Sequence, residues 1–245
     1  MEIGASVGPY LDRIDTLPPA FAFAEVAIGE GEQPLDTLDT AALADRLANQ
    51  GFDAVVHLPY RQPLATPVGD IDAATLAYLE RVLSTAAEFG AATAVAHPSS
   101  RGGGRNHLTS RARQLRNRAE QHDIKLCFET LGQVGGLPLD RVGDLADDAD
   151  TAVCLDVGYA YLEAGTDGIA TFLDSYGDLV EHLHVHGARH RGDTHIPVGS
   201  GDVDYGALGP HLADAGATTA TIEVFTDQAS YLSESADRFE STLLE

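Results

Sequence analysis

Lysine is nearly missing from this chain. Lys125 is the only one, against fourteen arginines, while Asp and Glu number 38 and the formal net charge is −23. Such a balance predicts a halophilic surface, solvated at high salt where screening relieves the repulsion between like charges. An ordinary acidic enzyme is the plainer alternative. Acidity of this degree argues against a nucleic-acid partner, although a bias shared by a whole proteome would weaken that exclusion. Cysteine is scarce too. Cys127 and Cys154 are the only two and form no CxxC pair, so buried free thiols are expected rather than a disulfide or a zinc ribbon. No apolar run approaches the roughly 18 residues of a membrane span, and the opening MEIGASVG has no basic segment of the secretory kind. A cytoplasmic protein with no membrane partner is the expectation. No GxGxxG follows the first strand-like run, which removes the usual open-sheet nucleotide reading. No Pro/Gly/Ser linker divides the chain, and the stretch SSRGGGR at 99–105 is too short to serve as one. Residues 1–245 are therefore read as one domain, close to the about 250 residues typical of an α/β barrel.

What the chain does have is a rhythm. Eight strand-like runs are expected at Glu2–Ser6, Ala20–Ala27, Ala54–His57, Ala92–His97, Lys125–Glu129, Ala152–Asp156, Val180–His186 and Thr219–Val224. Helical patterns fall between them at Thr40–Asn49, Ala73–Glu88, Leu108–Gln121, Leu139–Ala149, Gly168–Tyr176, Tyr205–Asp214 and Tyr231–Leu243. The connection from Pro9 to Pro19 holds at most a short helix. Such alternation implies parallel strands and right-handed crossovers. Eight units in this length fit a single closed (β/α)8 TIM barrel, class α/β, better than an open doubly wound sheet.

Polar residues close these apolar runs: His57 after DAVV, His97 after AATAVA, Glu129 after IKLCF, Asp156 after TAVCL, His184 after VEHL and Glu223 after TATI. A parallel barrel carries its chemistry at the C-terminal ends of its strands. Two Glu, one Asp and one His on four contiguous strands suit one divalent Mn, Mg, Co or Zn ion. Each residue alone has a plainer reading, as a solvated carboxylate or a hydrogen-bonded core histidine; it is their matching height that points to metal. His57 and His97 could hold a second ion with Glu129 bridging, or bind substrate. His182 lies one layer deeper than His184 and reads as a core histidine, whereas His186 lies one layer above and is a candidate substrate contact. Asp193 and His195 have ligand spacing in the loop that follows. Arg189 and Arg191 could hold a phosphate or carboxylate, or simply be solvated. Cys127 and Cys154, two residues before Glu129 and Asp156, should face the barrel interior by strand alternation.

The motifs VHLPY (56–60), AHP (96–98), FET (128–130), CLDVG (154–158), HLH (182–184) and GDTHIPVGSGD (192–202) resemble the xylose isomerase-like, or endonuclease IV-like, TIM-barrel superfamily over nearly the whole length. Two branches follow from the resemblance. In the sugar isomerases and epimerases, residues matching Glu129, Asp156, His184 and Glu223 surround one divalent ion, and the two glutamates act as acid and base on a small sugar or sugar phosphate. Glu25 could contact substrate or lie at the surface. Endonuclease IV is similar at His57, His97, Glu129, Asp156, His184, Asp193, His195 and Glu223, its trizinc positions, and acts on abasic sites in DNA. Its Asp-x-x-His ligand pair departs here, because Tyr159 stands where the histidine would be. That removes one ligand of the third zinc and puts three ions, and phosphodiester hydrolysis with them, in doubt. Tyr60 and Arg61 or the Arg101–Arg105 loop could grip DNA under that branch. The isomerase or epimerase reading leads, with one ion expected and two or three as the alternative. Glu129 and Glu223 are the catalytic candidates, and Tyr60, His186 and Arg189 the substrate-binding ones.

Overall fold

The computed structural model describes residues 1–132 and 136–244. Eight strands run β1 Glu2–Gly8, β2 Phe23–Ala27, β3 Asp53–His57, β4 Ala91–Ala96, β5 Lys125–Glu129, β6 Ala152–Asp156, β7 Val180–Val185 and β8 Thr219–Ile222. All neighbours pair in parallel, and β8 returns to β1 to close the barrel. Among the described residues the outer layer has seven α-helices: α1 Thr40–Gln50, α2 Gly69–Glu88, α3 Gly104–Glu120, α4 Leu139–Ala149, α5 Val157–Tyr176, α6 Tyr205–Asp214 and α7 Ala229–Leu243. Between β1 and β2 the chain makes only a 3-10 helix, Leu11–Thr16. No described helix is long and apolar enough to cross a membrane.

Short polar residues start several of these helices. Asp39, Asp156 and Asp204 each accept a hydrogen bond from the amide three residues on, capping α1, α5 and α6. The sequence pattern places the start of α5 at Gly168, but the helix begins at Val157. Glycines at 158, 165 and 168 mask its apolar stripe, while the Asp156 cap starts it directly from the strand end. At Gly165 (φ 67°, ψ −176°) the helix breaks and resumes, a backbone state open to glycine. The strands also stop sooner than their apolar runs do, so His97, His186 and Glu223 sit one residue past β4, β7 and β8.

The core falls into two parts. A large apolar layer lies between strands and helices. A smaller cluster of Phe23, Val55, Val95, Cys127, Ala152 and Cys154 fills the barrel interior. Both cysteines are free and fully buried there. Register sets the height of what lies above: Asp156 pairs with His184, and His184 with Thr221.

Candidate metal centre at the barrel mouth

Strand alternation lifts one inward side chain per strand above this plug. Glu129 Oε1 lies 3.1 Å from His184 Nδ1, and Glu223 Oε2 lies 3.2 Å from the same nitrogen. The other ring nitrogen of His184, Nε2, is 3.1 Å from Glu25 Oε2. Glu129, Asp156, His184 and Glu223 each turn one ligand atom inward, and these four atoms lie within 4.8 Å of one another. A second group sits to one side, where His57 Nε2 (3.2 Å) and His97 Nε2 (2.9 Å) face Glu129 Oε2. His57 Nδ1 lies 3.0 Å from the Leu58 carbonyl oxygen, which orients the ring.

These donors suit a divalent cation. Glu25 Oε1 is buried without a hydrogen-bond partner, and a buried anionic oxygen with no donor is costly unless something positive faces it. The mixed carboxylate and imidazole set matches Mn, Co, Mg or Zn. With protons as the only cations, burial opposes charging, yet at Glu129, Glu223 and His57 the pairing overcomes it. Burial would raise the Glu129 carboxyl, but His184 and His97 hold it well below the usual range. Against the same burial, His184 and His195 bring Glu223 down to about 2. Burial would lower His57, yet the Glu129 hydrogen bond lifts it to about 9.

Below this layer, His182 is a buried core residue whose Nδ1 and Nε2 lie 2.7 and 2.9 Å from the hydroxyls of Thr219 and Thr221. Glu25 is 1 % exposed, so the surface role weighed for it is overturned; it accepts a 2.9 Å hydrogen bond from Thr221. A charged residue in the middle of the apolar strand FAEVA was the signal for it.

The loop after β7 divides its candidates. His195 reaches the mouth, with Nε2 3.5 Å from Glu223 Oε2. Asp193 does not. Its carboxylate accepts hydrogen bonds from Arg189 (2.9 Å) and Arg191 (3.0 Å), which hold it below its ordinary pKa, and it joins none of the convergent groups. Arg189 is accordingly turned to Asp193 within its own loop. His186, expected as a substrate contact, is fully buried with Nε2 3.1 Å from Asp156 Oδ1. Tyr60 is 47 % exposed and its ring lies 5.0 Å from that of His97. Phe225, which the sequence did not flag, is 73 % exposed and stacks on His195 at 4.1 Å.

Over this layer opens a cavity of about 470 Å³, lined by Tyr60, His97, Glu129, Tyr159, His195 and Glu223 among others. A second, of about 490 Å³, shares His57, Tyr60, Glu223 and Phe225 and runs toward Arg13 and Glu25.

Residues 20–242 match the family model described as "Xylose isomerase-like TIM barrel". The chain belongs to that family. Comparison with curated protein sequences finds no match. Among solved structures, this family member is similar to an L-ribulose 3-epimerase (TM-score 0.80, 15 % identity, covering 99 % of this chain and 94 % of that one). It is also similar to the D-psicose 3-epimerase of Clostridium cellulolyticum with D-tagatose (TM-score 0.78, 17 % identity, 99 % of each chain). A Thermus thermophilus protein soaked with ZnCl2 superposes at TM-score 0.73 and 22 % identity, covering 98 % of this chain and 99 % of that one.

Proposed function

We propose that this protein is a divalent-metal-dependent isomerase or epimerase of a small sugar or sugar phosphate. The observation that carries this reading is the placement of two glutamates from non-neighbouring positions in the barrel, the buried Glu129 and the largely covered Glu223, within 3.1 and 3.2 Å of His184 Nδ1. Both border one concave cavity. A cation bound by Glu129, Asp156, His184 and Glu223 would polarise a carbonyl or hydroxyl and stabilise enediolate charge.

The remaining work falls to the side chains. One glutamate removes the proton from the carbon next to the carbonyl, and the other returns a proton to that carbon or its neighbour. His184 turns Nδ1 toward both carboxylates, where it would meet the cation, and its ring is aimed from Nε2 by Glu25. Tyr60 and Phe225 supply the apolar rim on which a sugar's carbon face would rest. Epimerases acting on ketoses stand among the similar folds, in accord with this chemistry.

The His57, His97 and Glu129 group favours a second reading, a zinc phosphodiesterase acting at abasic sites in DNA. Against it, Arg13 is the one Arg or Lys among the described residues that borders the two mouth cavities, and it is paired with Asp227. A groove for a phosphate backbone needs exposed cations.

One experiment separates the two. Protein purified at high salt and loaded with Mn, Co or Mg is incubated in D2O with a panel of ketoses and their phosphates, and carbon-bound proton exchange is followed by NMR. Exchange in wild type and its loss in Glu129→Gln support the proposal. Cleavage of abasic-site DNA by zinc-loaded protein, with no exchange in any sugar, would reverse it.

A further inference from the structure

We propose, on the basis of the isomerase or epimerase reading, that the substrate is a neutral sugar carrying a second, uncharged glycosyl unit. That unit occupies the lobe of the mouth between the loops after β1 and β8. The two mouth cavities, of about 470 and 490 Å³, each fall within the about 300–1,000 Å³ that encloses one small ligand. They meet at His57, Tyr60, Glu223 and Phe225. Glu129 borders the first alone, so a carbon exchanging protons between Glu129 and Glu223 lies there. The second runs away from it, past Glu25, to Ser6, Tyr10, Arg13 and Asp227. A single sugar reacting in the first cavity leaves the second open.

The walls of this second lobe are built rather than slack. Among the described residues three strand pairs slip in register, and only the slip between Ser6 and Gly8 lies at the mouth end of its strand. Such irregularities re-aim a chain beside a site, and here Gly8 turns it at φ +56°. Beyond it the Tyr10 amide donates to the Val7 carbonyl (3.1 Å) and the Arg13 amide to that of Tyr10 (2.9 Å). The Gln33 side-chain amide holds the Pro9 carbonyl at 2.9 Å. On the facing wall the Phe225 amide donates to the His195 carbonyl at 3.0 Å. One face of the Phe225 ring stacks on His195, while the residue stays 73 % exposed, so the other face is open as a platform.

The polar groups of the lobe suit hydroxyls. Arg13 lies over the Tyr10 ring at 4.5 Å and is paired with the exposed Asp227. A guanidinium fork beside a carboxylate offers donors and acceptors together, and neighbouring hydroxyls need both. Deeper in the lobe, Glu25 is 1 % exposed and its Oε1 has no hydrogen-bond partner. A substrate O–H would satisfy that acceptor. An anion fits poorly. Glu25, Glu223 and Asp227 set three carboxylates around the single guanidinium of Arg13, and like charges at close range repel. No described Arg or Lys borders the first cavity. A phosphate has no free cation in either lobe.

The test separates the lobe from the reaction. Manganese-loaded protein is titrated by calorimetry with fructose, fructose 6-phosphate and two uncharged glucosyl-fructoses, maltulose and isomaltulose. Proton exchange of the same sugars in D2O is followed in parallel. A glucosyl-fructose should bind about tenfold more tightly than fructose, the worth of one charge-assisted hydrogen bond. Fructose 6-phosphate should bind no more tightly than fructose. In Arg13→Ala, and in Thr226→Trp, which fills the lobe, the preference for the disaccharide over fructose should vanish. Glucosyl-fructoses that bind no better than fructose overturn the proposed lobe, while exchange in fructose leaves the catalytic reading standing. Tighter binding of the phosphate than of either disaccharide overturns the uncharged substrate. If no sugar exchanges, the catalytic reading falls, and the affinities by themselves still decide the lobe.

Discussion

Two storeys of one barrel, built on the same strands, obey opposite rules. On β5 the floor residue is Cys127 and the mouth residue is Glu129; on β6 they are Cys154 and Asp156. Two residues of strand carry the chain from an apolar interior, where Phe23, Val55 and Val95 surround the thiols, to a layer where carboxylates face imidazoles. The floor is stabilised by removing apolar surface from water. The mouth is stabilised only as far as its negative charges are matched. Position along the strand, not the kind of element, decides which rule applies. Burial raises the Cys127 thiol to about 12, which Lys125 and His184 oppose without overcoming, while Glu129 under equal burial is brought down by its histidines.

Substitutions that act on one storey alone should break this comparison if it is wrong. The largest effect is expected from Glu223→Gln. Turnover should fall by about 10²–10⁴, the usual contribution of a general acid or base, with the circular dichroism spectrum close to wild type. Next is Phe23→Ala on the floor. Gly4 makes room for that ring, since a Cβ there would fall 2.3 Å from it. Denaturant unfolding should show a loss of about 3–5 kcal/mol, with metal content unchanged in the protein that remains folded.

The pH response of metal-stripped protein is a finer test. Glu223 is lowered from 4.5 to about 2, so its contribution is present above pH 4.5 and lost as pH falls toward 2. His57 is raised from 6.5 to about 9, and His186 likewise by Asp156 against the pull of burial. Their contribution is complete below pH 6.5 and lost as pH rises through 9. Calorimetry should therefore find a melting-temperature plateau near pH 4.5–6.5, declining on both sides. Metal-loaded protein should hold its stability through pH 9, because the ion takes the place of those protons. A floor substitution such as Cys127→Ala should lower both curves together, by about 1 kcal/mol.

Much of the mouth was legible because strand-end chemistry and strand period are both local. FET, CLD and HLH each place a polar residue at a fixed point of the period, and closure of the barrel brings those points to one height. His186 obeyed the same arithmetic, two residues past His184, but its burial depends on the missing side chain of Gly158 and on the Gly187–Ile196 bridge. Neither contact is local. Asp193 and His195 looked like a pair by spacing, yet His195 turns inward at a positive φ while Asp193 is captured by two arginines of its own loop. Glu25 was legible as an anomaly, and only the closed barrel shows that it reaches His184 from across the interior.

Asp156 closes a strand, faces the mouth, and also accepts the Tyr159 amide at 2.7 Å as the cap of α5. The first turns of α5, as far as the break at Gly165, thus hang from a carboxylate whose electron density an incoming ion would draw away. The Tyr159 N–H becomes a built-in gauge of occupancy. Its hydrogen exchange should quicken as the mouth fills, while the stretch beyond Gly165 keeps its own time.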